Sequence, residues 1–319
     1  MGFLDKLSSS RGGPRKALQI VIALLVVAAF ALAGISVFLT YRVVSPARSA
    51  TEFSPQQLST PPSTIVFSTP QGDRDGWFFP GLRGAPAVLL APAYGMNRGH
   101  LLTLAVALQE HQYNVFLFEY TAQGGNSGFS SLGSRESGEL LAAIDTVAGR
   151  DDVDQERFGV WGADVGGYAA ICAAATDPRI KAFAVDSVFN TPAQMFHHHL
   201  RRTGITGLPL VSRISGWIFT LLNFSARHDA PLSDRVRTMS GIPKFFIQAR
   251  ESAAVESAEA TRQLYLAAPE PREQSLIFRS RYAVMSAEER QSYETSIVSF
   301  FLQSLPPVQI PGRPATGGR

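Results

Sequence analysis

Cysteine is nearly absent. Cys172 is the only one in 319 residues, so neither an intrachain disulfide nor a cysteine-based metal cluster can form, whatever compartment the chain occupies. Charge is sparse as well, at 17% of residues against 45% hydrophobic. The formal net charge of +3 arises within residues 1–16, where Lys6, Arg11, Arg15 and Lys16 face only Asp5, leaving 25 basic and 25 acidic residues in the remainder. Beyond the N-terminus the sole adjacent basic pair is Arg201–Arg202. A nucleic-acid partner, which needs a concentrated basic face, is therefore excluded from the reading. Histidine is scarce too: there are six, and the last is His228. The length allows one core of roughly 200–250 residues plus appendages.

The chain does contain a long apolar run. Residues 17–40, ALQIVIALLVVAAFALAGISVFLT, hold no charge; as a helix they span about 36 Å, enough for a hydrocarbon core of about 30 Å. A buried core helix would be shorter and amphipathic. A cleaved signal peptide is the better rival, since Ala31-Leu32-Ala33 supplies small residues, but the run exceeds a typical signal core of roughly 7–15 residues. The expectation is an uncleaved signal anchor in the cell membrane. Four basic residues precede the span and Arg42 and Arg48 follow closely, which keeps segment 1–16 cytoplasmic and the folded part extracytoplasmic.

After the anchor, residues 41–63 read as a linker rich in Pro, Ser, Thr and Gln. A folded domain is expected over 64–304, and a Pro- and Gly-rich disordered tail over 305–319. Within the domain, apolar β-branched runs alternate with helical patterns, the signature of an α/β fold with a mostly parallel sheet. Eight strands are predicted at 64–68, 76–80, 87–91, 114–120, 157–161, 182–187, 244–248 and 274–278. Helices are predicted at 98–112, 134–148, 165–175, 253–267 and 287–303, each with an apolar stripe. Residues 190–240 interrupt the alternation and are expected to form a small lid at the carboxyl ends of the strands, where ligands bind in open α/β folds.

The stretch Gly159-Val160-Trp161-Gly162-Ala163-Asp164-Val165-Gly166-Gly167, a strand running through small residues into a helix, resembles the nucleophile elbow of the α/β-hydrolases. Val88-Leu89-Leu90-Ala91-Pro92-Ala93-Tyr94-Gly95-Met96-Asn97-Arg98 is similar to that family's third strand and oxyanion loop. Phe118-Glu119-Tyr120-Thr121-Ala122-Gln123-Gly124-Gly125-Asn126-Ser127-Gly128 is similar to the loop after its fourth strand. The resemblance covers roughly residues 64–303. It implies an α/β-hydrolase sheet with flanking helices.

The family's chemistry uses a serine at the elbow, a histidine after the eighth strand and an acid after the seventh. Here the elbow residue is Asp164, and residues 279–286, RSRYAVMS, contain no histidine. Ser252 falls at the acid position, with Glu251 beside it. Pro92-Ala93 replace the family's His-Gly, although the backbone N–H groups of Tyr94 and Val165 remain candidates for an oxyanion hole. Asp164 has a structural explanation as a carboxylate at a helix N-terminus. It also has a chemical one, because the resemblance extends to haloalkane dehalogenases and epoxide hydrolases, where a carboxylate attacks an alkyl carbon.

Adjacent helical side chains diverge by about 100°, so His197, His198 and His199 cannot all ligate one ion and no metal or other cofactor is expected. They read as lid surface, and His100 and His111 as ordinary helix residues. Residues 217–224, WIFTLLNF, read as lid core more than as a lipid contact. The functional expectation is a membrane-anchored, catalytically degenerate hydrolase-like protein that binds a small apolar ligand or a protein partner. The rival is an active hydrolase of an ester or alkyl substrate using Asp164 with an unconventional base, either Glu251 or a lid histidine.

Overall fold

A computed structural model describes residues 13–47, 61–204, 208–224, 229–251, 254–277 and 282–308. The apolar run forms one long helix, α1 (Gly13–Val44). Strands and helices then alternate: β1 (Ser63–Thr69), β2 (Gly72–Phe79), β3 (Ala85–Ala91), α2 (Leu102–Glu110), β4 (Asn114–Phe118), α3 (Ser134–Ala148), β5 (Val153–Ala163), α4 (Val165–Ala174) and β6 (Ile180–Asp186). The lid helices α5 (Pro192–Arg201), α6 (Pro209–Leu222) and α7 (Leu232–Arg237) follow. Then come β7 (Lys244–Ala249), α8 (Val255–Ala267), β8 (Arg272–Ile277) and α9 (Ala287–Ser304). The expected tether lies mostly outside the described residues, as does the expected tail from residue 309 on.

The eight strands form one sheet in the order β1-β2-β4-β3-β5-β6-β7-β8. β1 and β2 pair antiparallel, as do β2 and β4, and the rest are parallel. This is the mostly parallel sheet that the alternation predicts, in the eight-stranded form that the resemblance implies. β3, β4 and β7 are buried along their whole length, as strands covered by helices on both faces must be, which is why they read as continuous apolar runs. α4 is buried in all ten residues; its Gly- and Ala-rich sequence lets it sit close against β5 and β6.

Helix α1 ends four residues later than expected and does not leave the domain at once. Ser36, Leu39, Thr40, Val43 and Val44 are buried, spaced so that they share one face. Ser36 and Thr40 use their hydroxyls inside the helix, donating to the Leu32 and Ser36 carbonyls at 2.8 Å each. They also approach α6, where the Ser215 hydroxyl donates to the Ser36 carbonyl at 3.2 Å. The Val44 carbonyl accepts from the Ser130 amide at 2.7 Å. Tyr41 and Arg42 remain helical because the turn they occupy is fixed by buried neighbours on either side.

Candidate functional site

The elbow is built by steric necessity. A Cβ on Gly166 would lie 2.1 Å from the Ala91 carbonyl oxygen at the end of β3, and one on Gly162 would lie 2.4 Å from the Gly166 carbonyl. Only glycine permits that approach of strand and helix. Between them Asp164 takes φ +50°, ψ −112°, a conformation rarely adopted by a residue with a side chain. Hydrogen bonds hold it there: its amide donates to the Asp186 carbonyl and its carbonyl accepts from the Tyr168 amide, both at 2.9 Å.

The carboxylate of Asp164 does not cap α4; no hydrogen bond runs from it to that helix. It turns to the lid instead. His199 Nε2 stands 3.2 Å from Asp164 Oδ2, with the two side chains only 11% and 18% exposed. The expectation that this histidine belongs to the lid surface is thus corrected. α5 is started by Pro192 and capped by the Thr191 hydroxyl, which accepts from the Gln194 amide; that fixes which face of the helix meets the elbow. As expected, the three histidines diverge. His198 Nδ1 meets Glu256 Oε2 at 3.0 Å, while His197 lines a groove between α5 and α6. Burial holds the His198 imidazole below its ordinary range.

Tyr94 closes the other side. Its ring stacks on His199 with centroids 3.9 Å apart and planes inclined by 26°, and its hydroxyl donates to the Val43 carbonyl of α1 at 2.7 Å. Burial, and then the neighbouring Asp164 charge, push the phenol well above its ordinary value. Asp164 Oδ1 is buried without a hydrogen-bond partner, a costly state for a carboxylate oxygen unless some further group uses it. Val165, the second oxyanion candidate, opens α4 and is wholly buried.

A second acid that sequence reasoning did not single out lies next to the elbow. Asp186 ends β6 and is wholly buried. Its carboxylate accepts from the Ser187 hydroxyl at 2.7 Å and the Tyr293 hydroxyl at 3.0 Å, and Tyr293 in turn accepts from Trp161 Nε1 at 3.0 Å. Burial above all pushes its pKa up to about 7; the two hydrogen bonds oppose this and the Asp164 and Glu251 charges reinforce it. Asp164, Asp186 and Glu251 therefore gather at the carboxyl ends of β5, β6 and β7. Ser252, the residue at the expected acid position, lies outside the described residues, as do residues 278–281 after β8.

The topology defines the class. The search of family models returned no match, but solved structures share the fold and relatives share the sequence. An uncharacterised protein of Mycobacterium tuberculosis is 30% identical over 195 residues, covering 57% of this chain and 69% of that protein. The α/β-hydrolase domain-containing protein WAV2 of Arabidopsis thaliana is 28% identical over 164 residues, covering 49% and 53%. Among solved structures, a Pyrococcus furiosus esterase superposes with a TM-score of 0.65 over 83% of this chain and 99% of its own, at 18% identity. The GrgF α/β-hydrolase of Penicillium superposes with a TM-score of 0.59 over 77% and 99%, also at 18% identity. The chain belongs to the α/β-hydrolase fold superfamily, in one family with the mycobacterial protein.

Proposed function

We propose that the domain is a hydrolase in which Asp164 attacks an alkyl carbon bearing a leaving group and His199, supplied by the lid, activates the water that releases the product. The supporting observation is the imidazole at 3.2 Å from the elbow carboxylate, the base that the segment after β8 lacks. In the first step a carboxylate oxygen of Asp164 forms a C–O bond while the carbon–leaving-group bond breaks, and the leaving group departs with the electron pair. The ester so formed carries no charge, so His199 is no longer held as a donor to it. The imidazole then takes a proton from water, the hydroxide adds to Asp164 Cγ, and the departing alkoxide recovers the proton. The negative oxygen formed at Cγ is the charge that the amides of Tyr94 and Val165 would stabilise.

The test is trapping. His199→Ala exposed to 1-bromoalkanes and terminal epoxides should accumulate an alkyl adduct on the Asp164 peptide, read by mass spectrometry, while Asp164→Asn should not. A second reading, binding of an apolar ligand or a protein partner without turnover, is favoured by one observation: the orphaned Asp164 Oδ1 is shut away from solvent. It predicts no adduct and no turnover in either form, a result that would displace the first reading.

The same proposal places α1 in a bilayer as a signal anchor, with residues 1–16 cytoplasmic and the domain outside. What supports this is a helical stretch, Arg15–Val44, of 30 residues whose most apolar 18-residue window has a mean hydropathy of 2.9, together with the basic residues before it. Protease added to sealed cells should digest the domain and leave the N-terminal segment intact; the converse would reverse the orientation.

A further inference from the structure

Helix α6 carries three different faces. Val211 and Ser215 face α1. Ser212, Arg213, Gly216 and Thr220 line the groove toward α5, a cavity of about 450 Å³. Leu210, Trp217, which also borders that groove, and Leu221 form the third face, with Ile214 completing its four-, three-, four-residue spacing. That third face is uncovered: Trp217 is 70% and Leu221 74% exposed, and Leu222 and Phe224 beyond them are exposed too. Phe219, by contrast, is buried and stacks on Phe196 of α5 with ring centroids 4.5 Å apart. The segment expected to be lid core is therefore core on one side only.

The place where α6 meets α1 says what covers the open side. Its contacts fall on Ser36 and Thr40, the last turn of the apolar run 17–40. At about 1.5 Å per residue, those contacts lie within roughly 6 Å of the end of that run. If the run spans a bilayer, α6 lies at the depth where amphipathic helices bury an apolar face, about 5–10 Å into the headgroup and acyl boundary. Trp217 suits that depth, since its ring is apolar and its N–H can reach water.

We propose that α6 is an interfacial helix whose Leu210–Trp217–Leu221 face inserts into the lipid leaflet that receives the C-terminal end of α1. The lid over the Asp164–His199 pair is thereby held at the membrane surface, and the amphiphiles of that leaflet are the ligands it meets. The inference rests on α1 lying in a bilayer and is independent of the chemistry assigned to Asp164.

The experiment uses the full chain reconstituted in phosphatidylcholine vesicles, with and without bromine on the acyl chains. Trp77 and Trp161 are buried, so Trp217 is the one tryptophan of three in the chain that bromolipid should quench. The wild-type chain should lose that component, and Trp217→Phe should show no bromolipid-dependent loss. Flotation of the same vesicles tests the anchor separately. A chain that floats, but whose Trp217 responds to aqueous acrylamide and not to bromolipid, overturns the proposal and leaves the anchor standing. Protection from both quenchers indicates a protein occupant, including a second copy, and also overturns it. A chain that does not float removes the anchor and the proposal together.

Discussion

Replacing Asp186 by asparagine should raise stability relative to the wild type increasingly as pH rises. In the folded state this carboxyl titrates near 7 against an ordinary 3.8. Its folded value is raised, so between about pH 4 and 7 the folded chain holds a proton that the unfolded chain has lost. Stability must then fall as pH rises across that window, and the cost is complete above about 7. A displacement of roughly three pH units at about 1.4 kcal/mol each gives a cost of about 4 kcal/mol. The group is wholly buried, so solvent screening does not reduce it. Asparagine can still accept from Ser187 through its oxygen, but its amide meets Tyr293 as a donor, so the Tyr293 proton loses its acceptor; that cost is the same at every pH in the range and leaves the pH dependence of the difference intact. The assay is urea unfolding of the detergent-solubilised full chain at pH 4.5, 6 and 8. The difference between Asp186→Asn and wild type should shift by several kcal/mol in the variant's favour from 4.5 to 8. Parallel profiles for the two proteins would refute the reasoning.

Other outcomes follow from the same contacts. Gly166→Ala drives a methyl group to 2.1 Å from the Ala91 carbonyl oxygen, backbone that cannot retreat; it should cost about 1–3 kcal/mol or more and lower the thermal midpoint, or abolish folding. Tyr94→Phe loses the hydroxyl bond to Val43 but keeps the stack on His199, so it should cost about 0.5–1.5 kcal/mol in the same unfolding assay. Should Tyr94→Phe lose catalytic activity without losing stability, the phenol would have a chemical role that this account does not give it.

Much of the fold was legible in the sequence because sterics and burial leave few choices. The glycines at 162, 166 and 167 mark the elbow since no other residue fits there, and the continuous apolar strands β3, β4 and β7 announce a sheet covered on both faces. The partner of Asp164 was legible only as one of two alternatives, Glu251 or a lid histidine, and which histidine was not. His199 lies 35 residues downstream on an inserted helix, in a run of three histidines whose inward member depends on how Thr191 and Pro192 start that helix. Asp186 was hidden for another reason: a lone acid ending an apolar strand looks like a strand terminus, and only the sheet brings it to the elbow. A usable signal was present for the α1–α6 contact, in the small hydroxyl residues Ser36 and Thr40 at a spacing of four within a run that is otherwise apolar from Ile20 on. Such spacing marks helix packing.

The central claim is that water attacks Asp164 and not the substrate carbon, and isotope labelling addresses it directly. A single turnover of an alkyl substrate in H2-18O, with enzyme in excess, should leave the product alcohol unlabelled and place the heavy oxygen in the Asp164 peptide. Label in the alcohol with none in Asp164 would contradict the account.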